Sequence, residues 1–139
     1  MMNPTELVGL WSADAMYGPG AQSDDVLFFF SDGTGRLDFH NPVLCNAWTF
    51  HWNIISDSKL HIVGDVAYKH DNKVITYPWK HDIEHSVTLK TESTPRGDEM
   101  RVLRFTPHLI SGLSDHFAFC RSDIDEFAQP DFSYMDNLP

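Results

Sequence analysis

The sequence has little that could span a bilayer or staple a small fold. No window approaches the ~20 apolar residues that a membrane span needs. The opening Met1-Met2-Asn3-Pro4-Thr5-Glu6 lacks the basic and apolar segments of a secretory leader. A cytoplasmic location without membrane contact is therefore expected. Two cysteines, Cys45 and Cys120, are too few for a disulfide framework, and their strand-like flanks make them read as buried thiols. Positive charge is scarce as well. Ten Lys and Arg face 20 Asp and Glu, and the net charge of −10 repels phosphate backbones, which argues against nucleic acid as a partner.

Helical periodicity is missing too. No segment keeps it for more than two turns, which excludes βαβ units and a nucleotide-binding parallel sheet. There is no glycine-rich phosphate loop, no Cys-x-x-Cys pair and no serine nucleophile elbow. No cofactor and no metal site are expected from these motifs.

What is present is a series of short alternating segments separated by turn residues. Trp48, Phe50, Trp52 and Ile54 alternate with Ala47, Thr49, His51 and Asn53, and Leu60 and Ile62 continue the pattern, so one face of each strand is apolar. Asp32-Gly33 between Val26–Phe30 and Arg36–His40 supplies the positive φ of a tight hairpin. Asn3-Pro4-Thr5-Glu6-Leu7 reads as a capped turn of helix. Nine or so such strands in 139 residues predict an all-β fold, an antiparallel up-and-down β-barrel of about eight strands with a short N-terminal helical turn. The barrel is assigned to residues 1–122. Residues 123–139 form an acidic C-terminal extension, a strap or tail, since the 18 residues after Arg121 hold five acids and no base.

The candidate chemistry is sparse. His81-Asp82-Ile83-Glu84-His85 matches the pattern of inverted zinc peptidases, but that chemistry needs a helix. On a strand, positions four apart are separated by ~13 Å and are not expected to share a metal. The segment is therefore expected to be a polar connection, with only a turn between Lys80 and Glu84. His40, His51 and His61 fall on outward strand positions. Phe28, Phe30, Leu37, Phe39, Trp48, Phe50, Trp52, Leu60 and Ile62 are assigned to one interior, which is either a solid core or the lining of an apolar pocket.

The segment Leu7-Val8-Gly9-Leu10-Trp11, a Gly-x-Trp on the first strand after a helical turn and before a meander, resembles the lipocalin and fatty-acid-binding (calycin) superfamily. It is also similar to the opening of small bacterial lipocalin-like domains. The resemblance covers roughly residues 5 to 122. It implies that Gly9 lets the chain pass closely at the barrel base, that Trp11 plugs that end, and that Arg121 covers the indole through a cation–π contact.

The function this implies is non-catalytic binding of a small hydrophobic or aromatic molecule, with the loop from Gly18 to Asp24 as a lid at the opposite end. One alternative is an acidic interaction module of the immunity or inhibitor type that captures a basic protein. Another is an isomerase or cyclase that uses a rim residue such as His51 or Asp38.

Overall fold

The computed structural model describes residues 2–16, 24–40, 45–71, 73–95 and 97–124. Residues 18–23 of the expected lid and residues 125–139 of the acidic extension lie outside the described residues, as does the side chain of Cys45. The described residues form one short α-helix, α1 (Pro4–Leu7), a 3₁₀ turn at Asp14–Met16, and nine strands. These are β1 (Gly9–Ser12), β2 (Asp24–Phe29), β3 (Thr34–His40), β4 (Cys45–Ser56), β5 (Lys59–Asp71), β6 (Lys73–Pro78), β7 (Asp82–Ser93), β8 (Glu99–Thr106) and β9 (His116–Arg121). All pairings are antiparallel. The order β4-β3-β2-β1-β9-β8-β7-β5 closes on itself through β4–β5, giving an eight-strand barrel as the alternation predicts.

The ninth strand is explained by β5. Its first half, Lys59–Val63, pairs with β7, and its second half, Val66–Asp71, pairs with β6, so β6 and β7 lie end to end along one long partner. The changeover falls at a bulge, where the β4 positions Trp48 and Phe50 meet Ala67 and Gly64. The Thr49 hydroxyl holds the bulge by accepting from the Val66 N–H at 3.1 Å and donating to the Val66 carbonyl at 3.0 Å. A bulge of this kind bends its strand and raises the local twist.

The base is closed by the N-terminus. Asn3 and Glu6 form a reciprocal cap on α1, and the carbonyl of Leu7 accepts a 2.8 Å hydrogen bond from the Trp11 indole N–H. Trp11 is fully buried, with Phe119 edge-on at 5.2 Å. The cation over the indole is Arg101, 5.7 Å from the Trp11 ring centre and 4.1 Å from that of Phe119, with its Nη1 donating to the Glu6 carbonyl. The role expected of Arg121 therefore falls to Arg101. Arg121 is paired with Leu10, which faces the outer wall, and its exposed guanidinium donates to the Asp123 carbonyl.

At Gly9 the chain passes close to β9. The glycine has φ +147°, and a β-carbon there would lie 2.5 Å from the Arg121 carbonyl oxygen. Gly9→Ala is expected to destabilise the fold by about 2 kcal/mol or more, read from urea unfolding. An unchanged midpoint would show that the base can open without cost.

Parity on β2 differs from expectation. Leu27 and Phe29 point into the barrel, whereas Phe28 and Phe30 belong to a separate outer cluster with Val26, Ile124 and Leu10. The same outer face buries Arg36 and Asp38 as an ion pair, Nε to Oδ1 2.8 Å, with Arg36 4.8 Å over the Phe28 ring. Cys120, expected to be buried, is exposed because its parity on β9 is outward. No helix among the described residues is long and apolar enough to cross a membrane.

Candidate functional site

Leu37, Phe50, Leu60 and Ile62 pack with Trp11, Phe29 and Phe105 into one core, none of them more than 2% exposed. Trp52 lies partly buried toward the base, with its indole donating to the Thr34 carbonyl at 2.8 Å. The interior is therefore dense from the base through the middle. The arrangement loosens at the other end.

One row of directly paired residues runs across the sheet from Phe119 and Trp11 through Leu27, Leu37, Trp48 and Ala67 to Tyr77. Paired antiparallel residues carry their side chains on the same face, so the row is inward throughout. Strand tilt carries it from base to mouth. Trp11 is sealed at its start, Trp48 is half-buried, and Tyr77 is 46% exposed. The next row toward the mouth pairs Asp25, Phe39, Asn46, Lys69 and Ile75. There the half-buried Asn46 has an Oδ1 atom that is itself buried and meets no donor among the described residues. Phe39, assigned to the interior, faces inward at this rim.

The 107–115 segment partly caps the mouth. Leu109 enters the core, and the backbone N–H of Ser114 donates to the buried Asp25 carboxylate at 2.7 Å. Beside this cap lies the part of the site that sequence reasoning misread. The connection from β6 to β7 is only Trp79 to His81, and β7 already begins at Asp82, so Glu84 and His85 are on a strand. Gly64 makes room for the turn, since a β-carbon there would sit 2.9 Å from the Trp79 ring. The Gly64 N–H donates to the His81 carbonyl, and the Trp79 N–H donates to that of Asp65.

His85 is fully buried, which corrects the expectation of a polar connection. Its Nε2 lies 3.0 Å from His81 Nε2, although the two residues are four apart on an extended chain. The ~13 Å separation applies between backbones along a strand, and both side chains reach inward from the corner to meet. Their planes are 15° apart, and their ring centres are 5.2 Å apart, close to the full sum of the nitrogen gap and the two ring radii. The imidazoles thus meet tip to tip. Trp79 stacks on His81 at 4.6 Å, and Phe105 stands edge-on to His85 at 5.6 Å.

The hydrogen bonds assign the protons. His85 Nδ1 is 2.8 Å from the Pro107 carbonyl oxygen, which can only accept, so Nδ1 carries the hydrogen and Nε2 presents a lone pair. His81 Nε2 is then the donor between the rings. Burial, reinforced by the neighbouring His85 and opposed by Asp82, pushes the His81 pKa down to about 4. Burial also lowers that of His85, against the opposing pull of the Pro107 carbonyl. Both rings are neutral at neutral pH.

The other candidates lie elsewhere. Glu84 is exposed and pairs in register with His61 on the outer face, so the peptidase arrangement does not form. His61 bonds Asp82 outside the barrel, His51 is exposed at the base end opposite Thr34, and the side chain of His40 lies outside the described residues. Asp38, offered as a rim acid or base, is buried in its pair with Arg36. A hollow of about 190 Å³ between Arg36, His51 and Tyr68 lies on the outer wall. No family model, curated protein or solved structure matches the chain.

Proposed function

We propose that the protein binds a small apolar or aromatic molecule at the open end of the barrel and performs no chemistry on it. The observation that carries this reading is the inward row that leaves the sealed core and ends at half-buried Trp48 and exposed Tyr77, beside the exposed Ile75. Ligand sites combine apolar walls with a few fixed polar groups. Asn46 Oδ1 supplies a buried acceptor that meets no donor among the described residues, so the favoured ligand carries a hydroxyl or N–H on a flat apolar body. The Gly9-Leu10-Trp11 opening and the barrel closure support a calycin-like ancestry for such a carrier.

Native mass spectrometry of protein purified from its own host, followed by solvent extraction, is expected to release a bound aromatic or apolar compound. In a titration with 2-naphthol, Trp48→Ala and Asn46→Leu are each expected to weaken binding about tenfold, equivalent to the loss of one good contact. Equal affinity in the native protein and in folded Trp48→Ala, or no binding by either, overturns the reading.

A further inference from the structure

The histidine pair has a geometry that neither the barrel core nor a ligand wall requires. Two neutral imidazoles point their Nε2 atoms at each other, 3.0 Å apart and 15° from coplanar. We propose that His81 and His85 form a two-coordinate site for a monovalent d¹⁰ metal cation, copper(I), held in line between the two Nε2 atoms.

Four observations point to this ion. First, both donors are imidazole nitrogens, which suit copper as they also suit zinc, iron and nickel, so the choice among these rests on the coordination number and charge below. Second, His85 is already oriented as a metal ligand, with its far N–H held by the Pro107 carbonyl at 2.8 Å, the outer contact that fixes tautomer and ring direction in metal-bound histidine. Third, the ligand count is two. Among the described residues no group of three His, Cys, Asp or Glu side chains could hold an ion, whereas zinc almost always takes four ligands and three protein donors even at open sites. Copper(I) is satisfied by two donors in line, the direction in which these rings already point. Fourth, Trp79 and Phe105 flank the pair. In such surroundings a single positive charge costs far less to desolvate than a double one, because the penalty grows with the square of the charge.

Binding requires modest rearrangement. With metal–imidazole bonds of about 2 Å, the nitrogens must stand about 4 Å apart, so the tips part by about 1 Å. His81, half-buried on the short Trp79–His81 connection, is the partner placed to move, while His85 stays anchored. The protons balance without release. His81 gives up its Nε2 hydrogen and takes one on Nδ1, so it remains neutral and the site gains only the charge of the ion. No change in oxidation state is involved.

The test is an anaerobic titration of the full-length protein with copper(I) against a chromophoric chelator, with X-ray absorption on the loaded sample. One ion per chain with two nitrogen neighbours is expected, together with partial quenching of the tryptophan fluorescence, to which Trp79 beside His81 contributes. His81→Phe keeps an aromatic ring against Trp79 and removes one of the two ligands, so it should weaken binding at least 100-fold. Because His85→Ala risks unfolding, His81→Phe is the deciding variant, with Cys120→Ser as a control that should bind as the native protein does. Unchanged affinity in His81→Phe overturns the proposal, as do a sulfur-ligated spectrum, loss of binding in Cys120→Ser, and a site that prefers zinc with four neighbours. Since Trp48→Ala should leave copper binding intact, failure here is distinguishable from failure of the carrier reading.

Discussion

Trp11→Ala is expected to remove about 4 kcal/mol of stability, the largest single effect at the barrel base, measured as a fall in the urea midpoint at unchanged slope. Three losses coincide at this position. A fully buried indole leaves a cavity against Phe119, the Leu7 carbonyl loses the 2.8 Å hydrogen bond that ties α1 to β1, and Arg101 loses one of the two rings it covers. Against a typical total of about 5–15 kcal/mol for a domain, the variant would be close to unfolding. Trp11→Phe keeps most of the volume and isolates the hydrogen bond, so it should cost about 1–2 kcal/mol. A loss under about 1 kcal/mol for Trp11→Ala would mean that the base is sealed by something other than this residue.

Asp38→Ala is expected to cost about 3–5 kcal/mol, because it removes a carboxylate from beside a guanidinium that is only 2% exposed. The double change Arg36→Met with Asp38→Leu should recover most of that loss, since a buried ion pair replaced by apolar groups of similar size is often neutral. Arg104 and Glu92 provide the contrast. Their ion pair has the same 2.8 Å separation but is 43% and 31% exposed, and Glu92→Ala should cost under about 1 kcal/mol. If Asp38→Ala and Glu92→Ala cost the same, burial of the outer wall of β3 is not what makes the Arg36 pair matter.

The central strands of the barrel were legible because one of their faces is wet. On β4, His51, Asn53 and Ile55 are exposed while Phe50 and Trp52 turn inward, and the alternation in the chemistry reports that difference directly. The Asp32-Gly33 turn was legible for a local reason, since only the backbone at Gly33, with φ +87°, had to be right. On β2 the signal failed. Val26-Leu27-Phe28-Phe29-Phe30 is apolar at every position because both faces are covered, so no alternation exists from which to choose the inward set. The outer burial of Arg36 and Asp38 marks the same covered face, and an Arg-x-Asp on a strand otherwise predicted to be wet on that side carried no warning of it.

The mouth was less legible still. Trp79, His81 and His85 come together through the bulge at Gly64 and the three-residue corner after β6, and neither is visible in residue spacing. Asn46 reads as one polar residue among many until the register places it inward beside Phe39 and Lys69. The all-β class, the number of staves, the hairpin at Asp32-Gly33 and the inward sets of β4 and β5 can all be read from the chain alone, because they follow from local turn chemistry and from a period of two along half-wetted strands. Other features emerge only in the folded barrel: which aromatics of β2 face the core, that Arg101 rather than Arg121 covers Trp11, and that two histidines four residues apart meet at their tips. Each of those depends on register between strands distant in the chain, and register is set by the packing of the whole barrel.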